Sequence, residues 1–135
     1  MSFDLFVQCY GETRLSGLPT SAVRSLFPIG ESQPAFWSIQ YGTEDGCDLY
    51  PGFVEEDEGK LKDFMVARPC GDPRFWEALY SILRMGSVVA YWPESPPILA
   101  VGASLEGLPD GMQKALGLPV YVKSGMELLK RVQET

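Results

Sequence analysis

Histidine is absent from all 135 residues. Its absence removes Ser-His-Asp and Cys-His catalysis, the commonest positioned general base and most zinc sites. A reaction run by this chain would depend on carboxylates, tyrosine, lysine, arginine or cysteine. Those residues form no recognisable catalytic constellation, so the chain is expected not to be an enzyme. Basic residues are scarce too: 11 Lys and Arg against 18 Asp and Glu leave a net charge of −7, and no basic patch stands out. Nucleic-acid binding, which neutralises phosphates, is therefore disfavoured. No apolar run is long enough to cross a bilayer, and the N-terminal MSFDLFVQCYGE has neither a basic leader nor a small-residue cleavage site. Neither a membrane partner nor a secretory signal is expected. The three cysteines, Cys9, Cys47 and Cys70, are odd in number and lack CxxC spacing, which fits a reduced, cytoplasmic protein. Phosphate-loop, dinucleotide and EF-hand spacings are missing as well, so no cofactor and no metal is expected.

The bulk numbers are those of one ordinary domain. Hydrophobic content of 45% and charged content of 21% sit near globular averages, and the chain is long enough to bury a core without staples. Eleven prolines and 14 glycines signal many turns between short elements. Residues 3–10 alternate, with Phe3, Leu5, Val7 and Cys9 on one face and Asp4 and Gln8 on the other. This is a strand period, and Phe6 implies that the polar face is partly covered too. A loop over 11–18 leads to a short helix opened by Pro19, Thr20 and Ser21. After the breaker run 30–34, three strands over 35–42, 47–54 and 61–69 are joined by acidic turns, as in an antiparallel meander.

The clearest unit is 72–101. Asp72 caps a helix, Pro73 suits its first position, and Gly86 is expected to close it in a left-handed conformation. Phe75, Trp76, Leu79, Tyr80, Ile82 and Leu83 make a broad apolar stripe on that helix, suited to lying across a sheet. Two short strands, 88–92 and 98–101, bracket a proline-rich turn. A helix over 109–116, a strand over 119–123 and a last helix follow. Ser124 and Glu127 form a capping box for the last helix, and Met126, Leu129 and Val132 face inward. The predicted fold is a single α+β domain spanning 1–135: a mostly antiparallel mixed sheet with helices packed on it, in the order β-α-β-β-β-α-β-β-α-β-α.

Charge is unevenly spread. Between Thr43 and Phe64 eight acidic residues face only Lys60 and Lys62, so this segment carries nearly all of the net charge of −7. The bland account is a solvated surface that resists aggregation. The sharper one is a docking face for a basic protein, formed by Glu44, Asp45, Asp48, Tyr50, Glu55, Glu56, Asp57 and Glu58, with charge steering association. A rival site is a cleft near Arg68, Cys70 and Trp92. There a cysteine beside a helix N-terminus could act as a thiolate in a small-ligand binder or a histidine-free enzyme; a buried, inert cysteine is the plainer account. A homodimer paired through an open strand edge is a third option.

The opening FDLFVQ and the run VARPCGDPRFWEALYSILRMGSVVAYWPESPP resemble small, uncharacterised bacterial cytosolic proteins of similar length. Those proteins open MSFDLFV and carry a V-x-RP-x-x-DP-x-x-W-x-x-L helix before a YWP strand end. The shared residues read as capping and core residues. The compact acidic α+β pattern is also similar to immunity proteins that neutralise bacterial toxins. That resemblance implies an inhibitor holding a basic toxin or enzyme on an acidic face, with no residue-level motif to carry over.

Overall fold

The structure, a computed structural model, describes residues 2–134. In chain order the first half comprises β1 (Asp4–Cys9), α1 (Gly11–Ser16), β2 (Leu18–Pro19), α2 (Thr20–Arg24), β3 (Ile29–Ser32), β4 (Trp37–Tyr41), β5 (Asp45–Val54) and β6 (Asp57–Ala67). The second half comprises α3 (Pro73–Leu83), β7 (Val88–Tyr91), β8 (Ile98–Ala100), α4 (Asp110–Leu116), β9 (Val120–Val122) and α5 (Gly125–Gln133). The strands form one mixed sheet in the order β3-β4-β5-β6-β1-β7-β8-β9, with β2 paired to β6 off this path. Every pairing is antiparallel except β8 with β9, which α4 connects as a crossover. The expected α+β architecture and the β4–β5–β6 meander are both present. No helix among the described residues is long and apolar enough to cross a membrane.

Strand alternation decides where the core lies. Leu5, Val7 and Cys9 of β1, Trp37, Ile39 and Tyr41 of β4, and Phe64 and Val66 of β6 all turn to one face, where they join residues of α2, α3 and α5 in the main core. Helix α3 contributes Phe75, Trp76, Ala78, Leu79, Ile82 and Leu83, and leaves Arg74, Glu77, Ser81 and Arg84 in water. Its start is fixed as the sequence implies: the Asp72 carboxylate accepts from the Arg74 N–H at 2.8 Å, and Pro73 follows the cap. The indole N–H of Trp76 donates to the Cys70 carbonyl at 3.0 Å, tying the helix to the loop before it.

The opposite face is covered only in part. Tyr10, Val89, Leu99 and Leu108 form a small second cluster with Met112 of α4 against it. The Tyr10 hydroxyl donates to the Ser104 carbonyl, pinning the loop that leads into α4. This cover stops at β7. Over β1, β6 and β5 the face is left to solvent, apart from α1 at one end.

Several local expectations fail for identifiable reasons. The loop expected over 11–18 contains α1 and β2, and the breaker run contains β3. Helix α1 buries none of its residues, so no apolar stripe announces it. Gly86 is not left-handed; the last helical residue is Leu83, capped by Arg84. Glycine is needed at 86 because a β-carbon there would come within 2.9 Å of the Thr13 hydroxyl, which accepts the Ser87 N–H at 3.0 Å. In α5 the Ser124 hydroxyl accepts from the Glu127 N–H at 3.0 Å. Its inward stripe is Gly125, Leu128, Leu129 and Val132, while Met126 stays 57% exposed. Finally, Cys47 and Cys70 form a disulfide, leaving only Cys9 as a free thiol. The expectation of a fully reduced protein is corrected on this point: β5 brings Cys47 beside the loop that precedes α3.

Candidate functional site

The uncovered part of the sheet carries an apolar strip that exists only through strand register. Phe6 pairs with Tyr91 of β7 on one side and with Met65 of β6 on the other. Met65 in turn pairs with Tyr50 of β5. Residues directly opposite on neighbouring strands point the same way, so Tyr91, Phe6, Met65 and Tyr50 stand side by side across four strands. The Phe6 and Tyr91 rings stack at 5.4 Å, and Phe36, just before β4, extends the strip against Tyr50 at 5.9 Å.

Polar rows flank this strip on both sides. On one side the register runs Asp4, Ala67, Asp48, Ser38; on the other it runs from the buried Val89 to Gln8, Asp63 and Gly52. Gly52 is required where it sits, since a β-carbon would run into the Asp63 carboxylate lying across it. The missing side chain opens a concavity of about 280 Å³, lined by Phe6, Gln8, Tyr50, Asp63, Met65 and Tyr91 among others. At its polar end the Tyr91 hydroxyl donates to Gln8 Oε1 at 3.3 Å, and Asp63 Oδ2 lies 3.8 Å from Arg14 Nη1 of α1. Burial raises the pKa of the Tyr91 hydroxyl above the ordinary tyrosine value; Asp63 adds to the rise and Arg14 opposes it. Cys9, behind this row, is pushed up to about 11, chiefly by burial and then by Asp63, so its thiol stays protonated and unreactive near neutrality.

The acidic residues singled out from sequence do not share one face. Asp48 and Tyr50 lie on the open face, Tyr50 in the strip itself and Asp48 in the acidic row beside it. Glu44 is exposed in the β4–β5 turn. The Asp45 carboxylate turns to the α3 junction, where it accepts from the backbone N–H groups of Gly71 at 3.0 Å and Asp72 at 2.8 Å. Glu55, Glu56, Asp57 and Glu58 cluster at the far tip of the β5–β6 hairpin and rim a separate shallow depression with Phe53 and Val54. The rest of the ten-residue β5 separates Asp45 from that tip, roughly 30 Å of extended chain.

The rival cleft does not assemble. Arg68 is exposed, but Cys70 is 1% exposed and bonded to Cys47, while Trp92 is 2% exposed and packs against Phe3. Both belong to the main core, so the thiolate chemistry considered for Cys70 has no thiol to use. Among the described residues, no three acidic or cysteine side chains converge as metal ligands.

Sequence reasoning missed Phe6, Gln8, Asp63, Met65 and Tyr91 as members of one site. The usable signal was a single large apolar residue on the otherwise polar face of each strand, repeated in β1 and β6. Comparison of the chain with protein-family models, with curated proteins and with solved structures found no match.

Proposed function

We propose that this chain is a protein-binding module that docks a basic protein partner on the open side of its sheet. The observation that carries the reading is the in-register strip Tyr91–Phe6–Met65–Tyr50, bounded on both sides by aspartates. Interfaces favour aromatic and methionine anchors at their centre with polar groups at the rim. A net charge of −7 selects a basic partner and speeds its approach. The finer form of the reading is an immunity-type inhibitor whose partner is a basic toxin or enzyme, with Glu55 to Glu58 at the hairpin tip acting in steering rather than in contact. A cytoplasmic site of action rests on the number and spacing of the cysteines together with the character of the N-terminal stretch. The Cys47–Cys70 bond instead suits an oxidising compartment, and thiol trapping in fractionated cells decides between the two.

Affinity capture from the native host tests the reading. The wild type should retain a basic protein that Asp48→Lys/Tyr50→Ala loses. Reversing Glu55, Glu56, Asp57 and Glu58 to lysine should slow association and flatten its salt dependence. Equal retention by the Asp48→Lys/Tyr50→Ala variant would sink the proposal.

A further inference from the structure

We infer that the concavity beside Asp63 receives an arginine side chain from a polypeptide partner, its stem along Phe6, Met65 and Tyr91 and its guanidinium on the Asp63 carboxylate. The inference rests on the docking reading above and names what the strip would hold. Size is the first argument. At about 280 Å³ the concavity lies at the lower edge of the range that encloses small-molecule ligands, and it has room for one side chain. Chemistry is the second. Phe6, Met65 and the Tyr91 ring supply apolar wall while Gln8 and the Asp63 carboxylate make one end polar, which matches a side chain with an apolar stem and a cationic tip.

The third argument is spare acceptor capacity. Asp63 meets Arg14 at 3.8 Å, with both side chains about two-fifths exposed. A carboxylate can accept bonds on both oxygens, and this long pair leaves room for a closer cation. The field of Asp63 already reaches the Tyr91 hydroxyl, adding to the upward shift that burial causes there.

Arginine is preferred to lysine because its planar, weakly hydrated guanidinium stacks on rings and grips carboxylates with two bonds. The chain holds one of its own arginines this way. Arg74 lies over the Tyr41 ring at 5.1 Å while donating to both Asp72 oxygens, at 3.0 and 2.8 Å. The concavity offers a partner the same pairing of ring and carboxylate.

The test uses the full chain with ¹³C-labelled methionine methyl groups and the probe peptide acetyl-Gly-Arg-Gly-amide. Its lysine and citrulline counterparts serve as controls. The arginine peptide should move the Met65 methyl signal and leave that of Met126, on α5, in place. The citrulline peptide, isosteric but uncharged, should move neither. Asp63→Asn should weaken binding about tenfold, the loss of one charge-assisted contact. Arg14→Gln should tighten it several-fold by removing the resident competitor, and it covers the case in which Asp63→Asn folds poorly. An unmoved Met65, an equal response to citrulline, or weaker binding by Arg14→Gln would each overturn the inference. If Met65 stays unmoved while Asp48→Lys/Tyr50→Ala still loses a captured partner, the arginine site fails and the docking reading survives. If the peptide binds as described but that variant keeps the partner, the site stands and the docking reading fails.

Discussion

Reduction of the Cys47–Cys70 bond is the perturbation whose size follows most directly from the fold. The two residues are 23 positions apart in sequence, with Cα atoms 5.5 Å apart, and both are buried. In the chain-entropy treatment, closing a loop of that length contributes about 3 kcal/mol by restricting the unfolded chain. The folded side of the balance changes little on reduction. Asp45 accepts from Gly71 and Asp72, and Trp76 donates to the Cys70 carbonyl, through atoms other than the sulfurs, so the junction between β5 and α3 should keep its geometry. For a domain of this size, about 3 kcal/mol corresponds to a melting temperature lowered by roughly 10 °C.

Calorimetry of the wild type and of Cys47→Ala/Cys70→Ala, each with and without a phosphine reductant, reads this out. The wild type should lose roughly 10 °C on reduction, and the variant should not respond to reductant at all. Because each alanine also omits a buried sulfur, the informative comparison is the response to reductant rather than the absolute melting point. Thiol titration of the unfolded, unreduced wild type should count only Cys9. A count that includes Cys47 and Cys70, or a wild type indifferent to reductant, would refute the reasoning.

Two further perturbations test the helix contacts. Asp72 has its pKa lowered to about 2, chiefly by the Arg74 side chain and then by the Arg74 backbone N–H. A depressed carboxylate contributes stability that is complete above its unfolded value near 4 and is lost as pH falls toward 2. Asp72→Asn keeps a capping side chain but no charge. The gap in melting temperature between wild type and variant should therefore be constant above pH 5, narrow as pH falls below about 4, and close only below about pH 2; a gap that does not narrow would reject the assignment. Gly125 opens α5 against the backbone of Glu77 in α3, with no space for a β-carbon. Gly125→Ala should destabilise by about 1–3 kcal/mol through overpacking, the reverse of the gain of up to about 1 kcal/mol that alanine ordinarily brings to a helix. Urea denaturation gives the sign.

The contrast between what could and could not be read from sequence follows the range of the interactions involved. The meander, α3 and the β7–β8 hairpin were legible because alternation, the Asp72-Pro73 start and the apolar stripe are all local. Helix α1 was not, since it buries nothing and is anchored by Thr13 meeting Gly86 and Ser87, a contact across more than 70 positions. Strand β3 sets only Ile29 against the core and is otherwise polar, held by backbone pairing to β4 and by Arg24 donating to the Ser32 hydroxyl. Met126 was expected inward in place of Leu128 because the helical period leaves the phase open. The close approach at Gly125 sets that phase, and it depends on α3. The site follows the same rule. Asp48 and Tyr50 were visible as part of an acidic segment, but their companions Phe6, Met65 and Tyr91 become neighbours only once the order β5-β6-β1-β7 and its register exist. Asp45, counted with them by charge, is claimed by two backbone N–H groups elsewhere.

Whether the strip is a docking surface or merely a tidy sheet face turns on magnitudes. Cross-strand pairs of this kind contribute about 0.2–1 kcal/mol each to stability. Tyr50 is 38% exposed, paired with Met65 across its register and with the Phe36 ring beside it, so its structural value lies near the top of that range at most. An aromatic anchor at the centre of an interface is worth about 2 kcal/mol or more in binding. Tyr50→Ala therefore separates the two explanations in a single protein. If the strip exists for the fold, the variant loses up to about 1 kcal/mol of stability and binds the captured partner as before. If the strip exists for a partner, stability barely moves while the dissociation constant rises about thirtyfold, the equivalent of about 2 kcal/mol. The cover supplied by α4 stops at β7 and α1 reaches only one end of the remaining face. The chain thus leaves uncovered a row of large apolar side chains on the solvent side of the sheet, with Asp4 and Asp48 along one flank and Asp63 on the other.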